Sequence, residues 1–364
     1  MLYAHMATYL GSVDFSIRYN YDIHYKSTSE WVFRVHPNTI GERKGRNHMK
    51  RILVTLPVTE YHKKRLEGNI TDCSFQYVSS SEVTIDMVQG SAIIVGNVPT
   101  SYIAASSNLE LLQLNSAGAD AYIKPGVLSS KTILTNASGA YGKTVAEHMI
   151  GMMMCLQKKL HLYRDDRVDG EWNDYGTVTS ISDATVTVIG LGDIGLYFAG
   201  MAKALGTYVI GIKRRKSDCP KQVDELHLME DANEIIPKSD VIVSFLPNTP
   251  STYHIYDAEF FSKMKKTGIF LNAGRGSAVD QDALLLAVRN GDIYAAGLDV
   301  TDPEPLPSDH PLWNERNIMI TPHVSGSYHL PETLDKIVEI AALNIENYLT
   351  GKELKNIVDF EMGY

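Results

Sequence analysis

Cysteine is nearly missing from this chain, and so is any long apolar run. Only three cysteines occur in 364 residues, Cys73, Cys155 and Cys219, and none has a near neighbour. That excludes a disulfide framework and a zinc-binding spacing. It suits a reduced, cytoplasmic protein with no structural metal. The most apolar helical stretch, VAEHMIGMMMCLQKKL, contains Glu147 and His148 and ends in lysines. It is too polar and too short to cross a bilayer, and the opening residues lack the charged-then-apolar order of a secretory leader. The net charge is -9, whereas a nucleic-acid binder needs a basic face. No membrane and no nucleic acid are therefore expected as partners. The run Lys213 to Lys216 is a local exception on an acidic background.

What is present is alternation. The length allows two domains. Residues 1–48 show neither sustained helical nor strand periodicity, and they are expected to be disordered or to lie upstream of the true start. Met49 opens MKRILVTLPVT directly into a strand, and Glu42-Arg43-Lys44-Gly45 is a stretch that a purine-rich ribosome-binding site would encode. Strand-like runs over 52–56, SAIIVGN and LELLQLNSAGAD, with a helix at EYHKKRLEGN, predict a largely parallel α/β sheet. A single buried helix is expected from Thr144 to Tyr163, with its methionines as core filler, and DGEWNDYG is expected as a surface loop. From Thr185 a second alternation reads as a complete doubly wound unit. A last amphipathic helix, TLDKIVEIAALNIENYLTGK, follows.

The turn VIGLGDIG carries Gly190, Gly192 and Gly195 between a strand and a helix. Gly190 suits the tight turn, Gly192 a close approach by a pyrophosphate, and Gly195 close helix–strand packing. The helix start adds N–H groups and a partial positive charge. A reader of NAD normally has an acid about 20 residues further on. Here TYVIGI runs into Lys213, Arg214 and Arg215. These residues would bind a 2′-phosphate, so NADP(H) is expected to be preferred, with NAD(H) possible.

Three downstream segments each hold one residue fit for redox chemistry on a small acid. In NAGRGSAVD, Arg275 lies between two glycines that leave room for a ligand, and its planar fork suits a carboxylate. In TPHVSG, His323 can exchange a proton near neutral pH. In GLDVTDPEPLP, Glu304 can pair with that imidazole and orient it. Each residue has a bland reading alone, but together, downstream of a dinucleotide turn, they read as a catalytic set.

With SAGAD (116–120), TVAEHMIGMMM and LPNTPST (246–252), these segments occur in the order and approximate spacing of a known family. Residues 49–364 resemble the D-isomer-specific 2-hydroxyacid dehydrogenases. The resemblance implies Arg275, Glu304 and His323 as the catalytic trio. For the cofactor it implies contacts from Asp193, Ile194, Leu246, Pro247, Thr252 and Ala273, with Asp299 holding the nicotinamide carboxamide. Backbone near Gly96, Asn97 and Gly118 would receive the substrate carboxylate. It further implies two doubly wound parallel-sheet domains, a Rossmann cofactor domain (148–329) inserted into a flavodoxin-like substrate domain (49–147 and 330–364), with dimerisation through the cofactor domain. Tyr141 and Lys143 fall near the cleft. Formate dehydrogenases share this architecture, but Glu304 retains the hydroxyacid-type dyad. The expected activity is hydride transfer between NAD(P)H and a small 2-oxoacid such as glyoxylate or hydroxypyruvate. The competing expectation is a dinucleotide-sensing corepressor with little turnover.

Overall fold

In the computed structural model, residues 20–26, 30–36 and 49–361 are described. Residues 1–48 and 49–364 form separate units. In the first, β1 (Asn20–Lys26) and β2 (Glu30–His36) pair antiparallel, with Ile23 opposite Phe33 and Tyr25 opposite Trp31. This corrects the reading of that stretch as free of strand periodicity: Tyr21, Ile23 and Tyr25 do alternate with polar residues. The rest of the expectation for 1–48 lies outside the described residues.

Two all-parallel sheets make up the second unit. The first contains β3 (Lys50–Val54), β4 (Cys73–Tyr77), β5 (Ile93–Val95), β6 (Leu111–Gln113) and β7 (Ile133–Thr135), in the order β4-β3-β5-β6-β7. Its central strands are short apolar runs, and Ile52 to Val54 and Ile93 to Val95 are wholly buried, as a sheet covered on both faces requires. Between these strands run α1 (Glu60–Glu67), α2 (Ile85–Gln89) and α3 (Thr100–Ala104).

The interdomain helix departs from expectation. Instead of one helix over 144–163 there are two, α4 (Gly142–Gln157) and α5 (Leu160–Asp169). Lys159 between them is left-handed, at φ 58°. Lys158 Nζ donates to the Thr179 carbonyl at 2.6 Å and Lys159 Nζ to that of Tyr175 at 2.5 Å. The break is thus held by the following loop, which no glycine or proline in LQKKL announces. α4 itself is buried as expected, through Val145, Met149, Met152, Met153 and Leu156.

The second sheet contains β8 (Thr185–Ile189), β9 (Tyr208–Lys213), β10 (Glu225–Leu228), β11 (Val241–Ser244), β12 (Ile269–Asn272), β13 (Ala295–Leu298) and β14 (Ile318–Ile320). Its order is β10-β9-β8-β11-β12-β13-β14. The strand order reverses between β8 and β11, so ligands are expected at the carboxyl ends there. Helices α6 (Asp193–Ala204), α7 (Ala232–Ile235), α8 (Ala258–Ser262) and α9 (Gln281–Arg289) connect these strands. α4 lies against β13, where a Cβ on Gly297 would be 2.3 Å from Met152 Sδ.

The chain then returns to the first sheet. α10 (Pro331–Thr350) buries Ile337, Val338, Ala341 and Ile345 and packs beside α1. Its fully buried Asn344 donates to Gln113 Oε1 of β6 at 2.7 Å. Ile357 then bridges antiparallel to Thr135 of β7. The result is a Rossmann unit inserted into a flavodoxin-like unit. No helix among the described residues is long and apolar enough to cross a membrane.

Candidate active site

Each glycine after β8 has a separate physical reason. Gly190 has φ 98°, and its N–H donates to the Ile212 carbonyl at 3.0 Å, tying the turn to the end of β9. A Cβ on Gly195 would sit 2.1 Å from the Gly190 carbonyl oxygen, so α6 can press against the turn only without a side chain there. Gly192 is the N-cap of α6, and nothing lies within 4 Å of where its Cβ would be. A bare helix N-terminus facing open space fits a phosphate-bearing ligand. Gly190, Gly192 and Ile194 line one wall of a cavity of about 110 Å³, and Ala117, Gly139 and Tyr141 line the other. The cleft therefore lies between the two sheets.

Asp193 begins α6, but its carboxylate turns toward α4. It accepts the Gly142 N–H, and burial raises its pKa above the usual aspartate value. At the end of β9, Lys213 Nζ donates to Ser217 Oγ at 2.9 Å, while Arg214, Arg215 and Lys216 are exposed. The nearest acid on the neighbouring strand, Glu225, pairs in register with Ile210, near the start of β9. The position that would hold a ribose-binding acid is basic. In the loop after β11, Thr252 Oγ1 donates to the Pro247 carbonyl at 2.7 Å, so this threonine shapes the turn that carries Leu246 and Pro247. Ala273 N–H is bonded to the Ser244 carbonyl at 3.1 Å.

The glycines flanking Arg275 are required by neighbouring backbone. A Cβ on Gly274 would lie 2.4 Å from the Leu246 carbonyl oxygen, and one on Gly276 2.0 Å from that of Thr301. This is a reason for glycine in addition to the room for a ligand expected from the sequence. Asn272, at the end of β12, sets the loop: Nδ2 donates to the Arg275 carbonyl at 2.9 Å and Oδ1 accepts the Gly274 N–H at 3.0 Å. The guanidinium reaches Asp120, on the loop after β6, with Nε at 3.0 Å and Nη2 at 2.8 Å from Oδ2. Nη1 donates to the Gly274 carbonyl at 2.8 Å.

His323 and Glu304 are brought together. His323 Nδ1 lies 2.9 Å from Glu304 Oε2, and Glu304 Oε1 accepts the Thr301 N–H at 3.1 Å. With Nδ1–H committed to a carboxylate, Nε2 is the nitrogen left for chemistry. His323 has φ 51°, an unusual backbone state for a non-glycine residue of the kind that gathers at functional sites.

Asp299 holds that strained segment. It is 1% exposed. Oδ1 accepts Thr321 Oγ1 at 2.7 Å and the Val324 N–H at 3.0 Å, and Oδ2 accepts the Ser325 N–H at 3.2 Å and the Ser325 hydroxyl. Its carbonyl takes the His323 N–H at 2.8 Å. The side chain implied to grip a carboxamide is thus engaged by the histidine's own loop. His148 on α4 extends the network, with Nε2 3.1 Å from Thr321 Oγ1. The Thr321 proton goes to Asp299, so His148 is the donor in that pair. Neither Asp120 nor His148 was singled out from the sequence. Asp120 stood in the SAGAD motif, and its partner is 155 residues away.

The substrate-loop residues divide. Gly96 N–H donates to the Gln113 carbonyl at 2.8 Å, and Asn97 N–H to Asn115 Oδ1 at 2.6 Å. Both amides are therefore engaged within the loop system. Gly118, by contrast, lies directly on Arg275: a Cβ there would be 1.6 Å from Nη2. Tyr141 donates to the Asn115 carbonyl, and burial holds its phenol above the usual range. Lys143 pairs with Glu332 of α10 at 2.7 Å.

Residues 150–325 match the family model described as D-isomer specific 2-hydroxyacid dehydrogenase, NAD binding domain. Glyoxylate/hydroxypyruvate reductase B of Escherichia coli is 30% identical over 271 residues, 72% of this chain and 82% of that protein. A D-isomer specific 2-hydroxyacid dehydrogenase family protein from Aeromonas salmonicida matches with TM-score 0.76 and 26% identity, over 86% of this chain and 99% of that one. A D-isomer specific 2-hydroxyacid dehydrogenase from Xanthobacter autotrophicus, solved with NADPH and MES, matches with TM-score 0.73 and 25% identity. Coverage is 87% of this chain and 100% of that one.

Proposed function

Because the chain belongs to the D-isomer-specific 2-hydroxyacid dehydrogenase family, and so to the oxidoreductases that use a nicotinamide dinucleotide, we propose that it reduces small 2-oxoacids of the glyoxylate and hydroxypyruvate kind with NADPH. The observation that carries this reading is the His323–Glu304 pair at 2.9 Å, at the carboxyl ends of strands in the sheet whose first turn is the open glycine loop. The Escherichia coli relative supports the substrate class by its name. The basic end of β9 and the NADPH of the Xanthobacter structure support the cofactor.

The Gly190–Gly195 turn would hold the dinucleotide, with Arg214 and Arg215 toward a 2′-phosphate, and when bound it would supply the hydride for the carbonyl carbon. Arg275 holds the substrate carboxylate and stabilises the charge growing on the carbonyl oxygen. His323 gives that oxygen its proton from Nε2. Glu304 fixes the imidazole through Nδ1, and the Thr301 N–H fixes Glu304. Asp299 acts behind them by holding the backbone of 323–325. The chain works as a homodimer in the cytoplasm on this reading. Its three cysteines are free, and Leu160 and Val168 of α5 and Trp172 of the loop after it are exposed apolar side chains. Sedimentation as a single-chain species would remove the dimer. The activity itself is tested by NADPH consumption with glyoxylate, hydroxypyruvate and pyruvate. Turnover is expected with at least one of them, and none with any would overturn the proposal.

A further inference from the structure

We propose that Asp120 is the positioning residue of Arg275: it grips the guanidinium by one edge and leaves the other edge aimed at the substrate. The proposal rests on the reading of Arg275 as the carboxylate holder. A guanidinium has five N–H groups: one on Nε and two on each terminal nitrogen. Asp120 Oδ2 takes one from Nε at 3.0 Å and one from Nη2 at 2.8 Å, and the Gly274 carbonyl takes one from Nη1 at 2.8 Å. One N–H remains on each terminal nitrogen. Two N–H groups on two neighbouring nitrogens are the complement that a carboxylate takes from an arginine.

Asp120 can do this because its loop is fixed independently of the arginine. Ser116 Oγ donates to the Gly118 carbonyl at 2.7 Å, and Asn136 Nδ2 donates to that of Ala117 at 2.9 Å. The Ala137 N–H donates to the Ser116 carbonyl at 2.9 Å, and Ala119 is 1% exposed. Gly118 belongs to the same device. A Cβ there would lie 1.6 Å from Nη2 and 3.0 Å from Asp120 Oδ2, so the bare glycine is the floor on which the guanidinium rests. The ion pair is half-shielded, with side-chain exposures of 29% and 30%. It joins the loop after β6 to the loop after β12, the two sides of the cleft.

Two opposed effects decide the sign. A carboxylate beside Arg275 reduces its Coulomb attraction for a second carboxylate. Without Asp120, however, a long side chain regains rotamer freedom that substrate binding must remove, and a misplaced fork loses alignment with the reacting carbonyl. Alignment is the larger effect in reactions that depend on positioning.

The experiment uses the full chain with Asp120→Ala, Asp120→Asn and Arg275→Lys singly, and Asp120→Ala with Arg275→Lys together. It reads kcat and KM for glyoxylate, KM for NADPH, melting temperature, and the Kd of oxalate as a carboxylate probe. Asp120→Ala is expected to lower kcat/KM for glyoxylate by on the order of a hundredfold and to weaken oxalate, with the NADPH KM unchanged. Asp120→Asn, which keeps an acceptor without the charge, should fall between and covers the case in which the alanine variant does not fold. The double variant should be little worse than Arg275→Lys alone, because both act through one group. A near-normal Arg275→Lys would refute the role of the arginine itself. A crippled Arg275→Lys beside an Asp120→Ala with unchanged or tighter oxalate and unchanged or lower KM would overturn the positioning role and leave that of the arginine standing.

Discussion

The two loops that face each other across the cleft both depend on glycine, for opposite reasons. In the 190–195 turn, Gly192 has nothing within 4 Å of its missing side chain; in the 116–120 loop, Gly118 would put a Cβ 1.6 Å from Arg275. The first glycine keeps a space open beside a helix N-terminus, as an extended anionic ligand requires. The second lets a charged side chain from the other sheet lie flat against the backbone. On the proposed reading, one wall of the cleft receives the cofactor and the other aligns the substrate. Substitutions on the two walls should separate cofactor effects from substrate effects.

The largest expected effect lies on neither loop. His323→Ala should lower kcat by roughly 10²–10⁴-fold, the usual worth of a general acid, while cofactor binding measured by fluorescence titration stays close to wild type. Asp299→Asn should reproduce part of that loss. Its carboxylate accepts hydrogen bonds from Thr321, Val324 and Ser325, so the variant disturbs the histidine's backbone and not its ring.

Next in size is the pair that sharpens the contrast between the walls. Gly118→Ala should lower kcat/KM for glyoxylate on the order of a hundredfold by shifting Arg275, with little change in NADPH KM. Gly192→Ala should do the reverse, raising NADPH KM while the melting temperature holds, since no atom is close enough to be displaced. If both variants change the same parameter, the division of labour is wrong.

How much of this was legible beforehand depended on whether the governing contact was local. The glycine turn was read from spacing because a strand, a tight turn and a helix start are neighbours in sequence. The central strands were equally plain, since burial on both faces demands runs such as ILV and IIV. The edge strands β4 and β10 were not seen: they are only part-buried, so their sequences mix polar and apolar residues. The break at Lys159 is held by side-chain bonds to carbonyls of Tyr175 and Thr179, which no local pattern encodes. Arg275, Glu304 and His323 were named from their motifs, but Asp120 was not, because its importance comes from a partner across the cleft. Asp299 was named and then found bound into the His323 loop, an arrangement that the motif GLDV cannot reveal.

A smaller effect concerns cofactor choice. Neutral residues at Arg214 and Arg215 together should reduce the preference for NADPH over NADH by roughly tenfold to a hundredfold, as expected for loss of charge-assisted bonds of about 1.5–3 kcal/mol. An undiminished ratio of kcat/KM values would make the run a solvated surface.

The smallest expected effect is on stability. Burial raises the folded-state pKa of Asp193 above its unfolded value. Folding therefore favours the protonated form, and that contribution is complete below the unfolded pKa and lost as pH rises through the folded one. Asp193→Asn should consequently melt slightly higher than wild type at neutral pH, by less than about 1 kcal/mol, with the gap closing in acid. A gap that widens as pH falls would contradict the assignment.

The most direct test of the account is a kcat/KM comparison of wild type and His323→Ala for glyoxylate and hydroxypyruvate, each with NADPH and with NADH. Wild type should turn over at least one of the two acids, faster with NADPH, and His323→Ala should lose at least a hundredfold of that activity while still binding NADPH. No turnover of either acid by wild type, or near-normal turnover by His323→Ala, would contradict it.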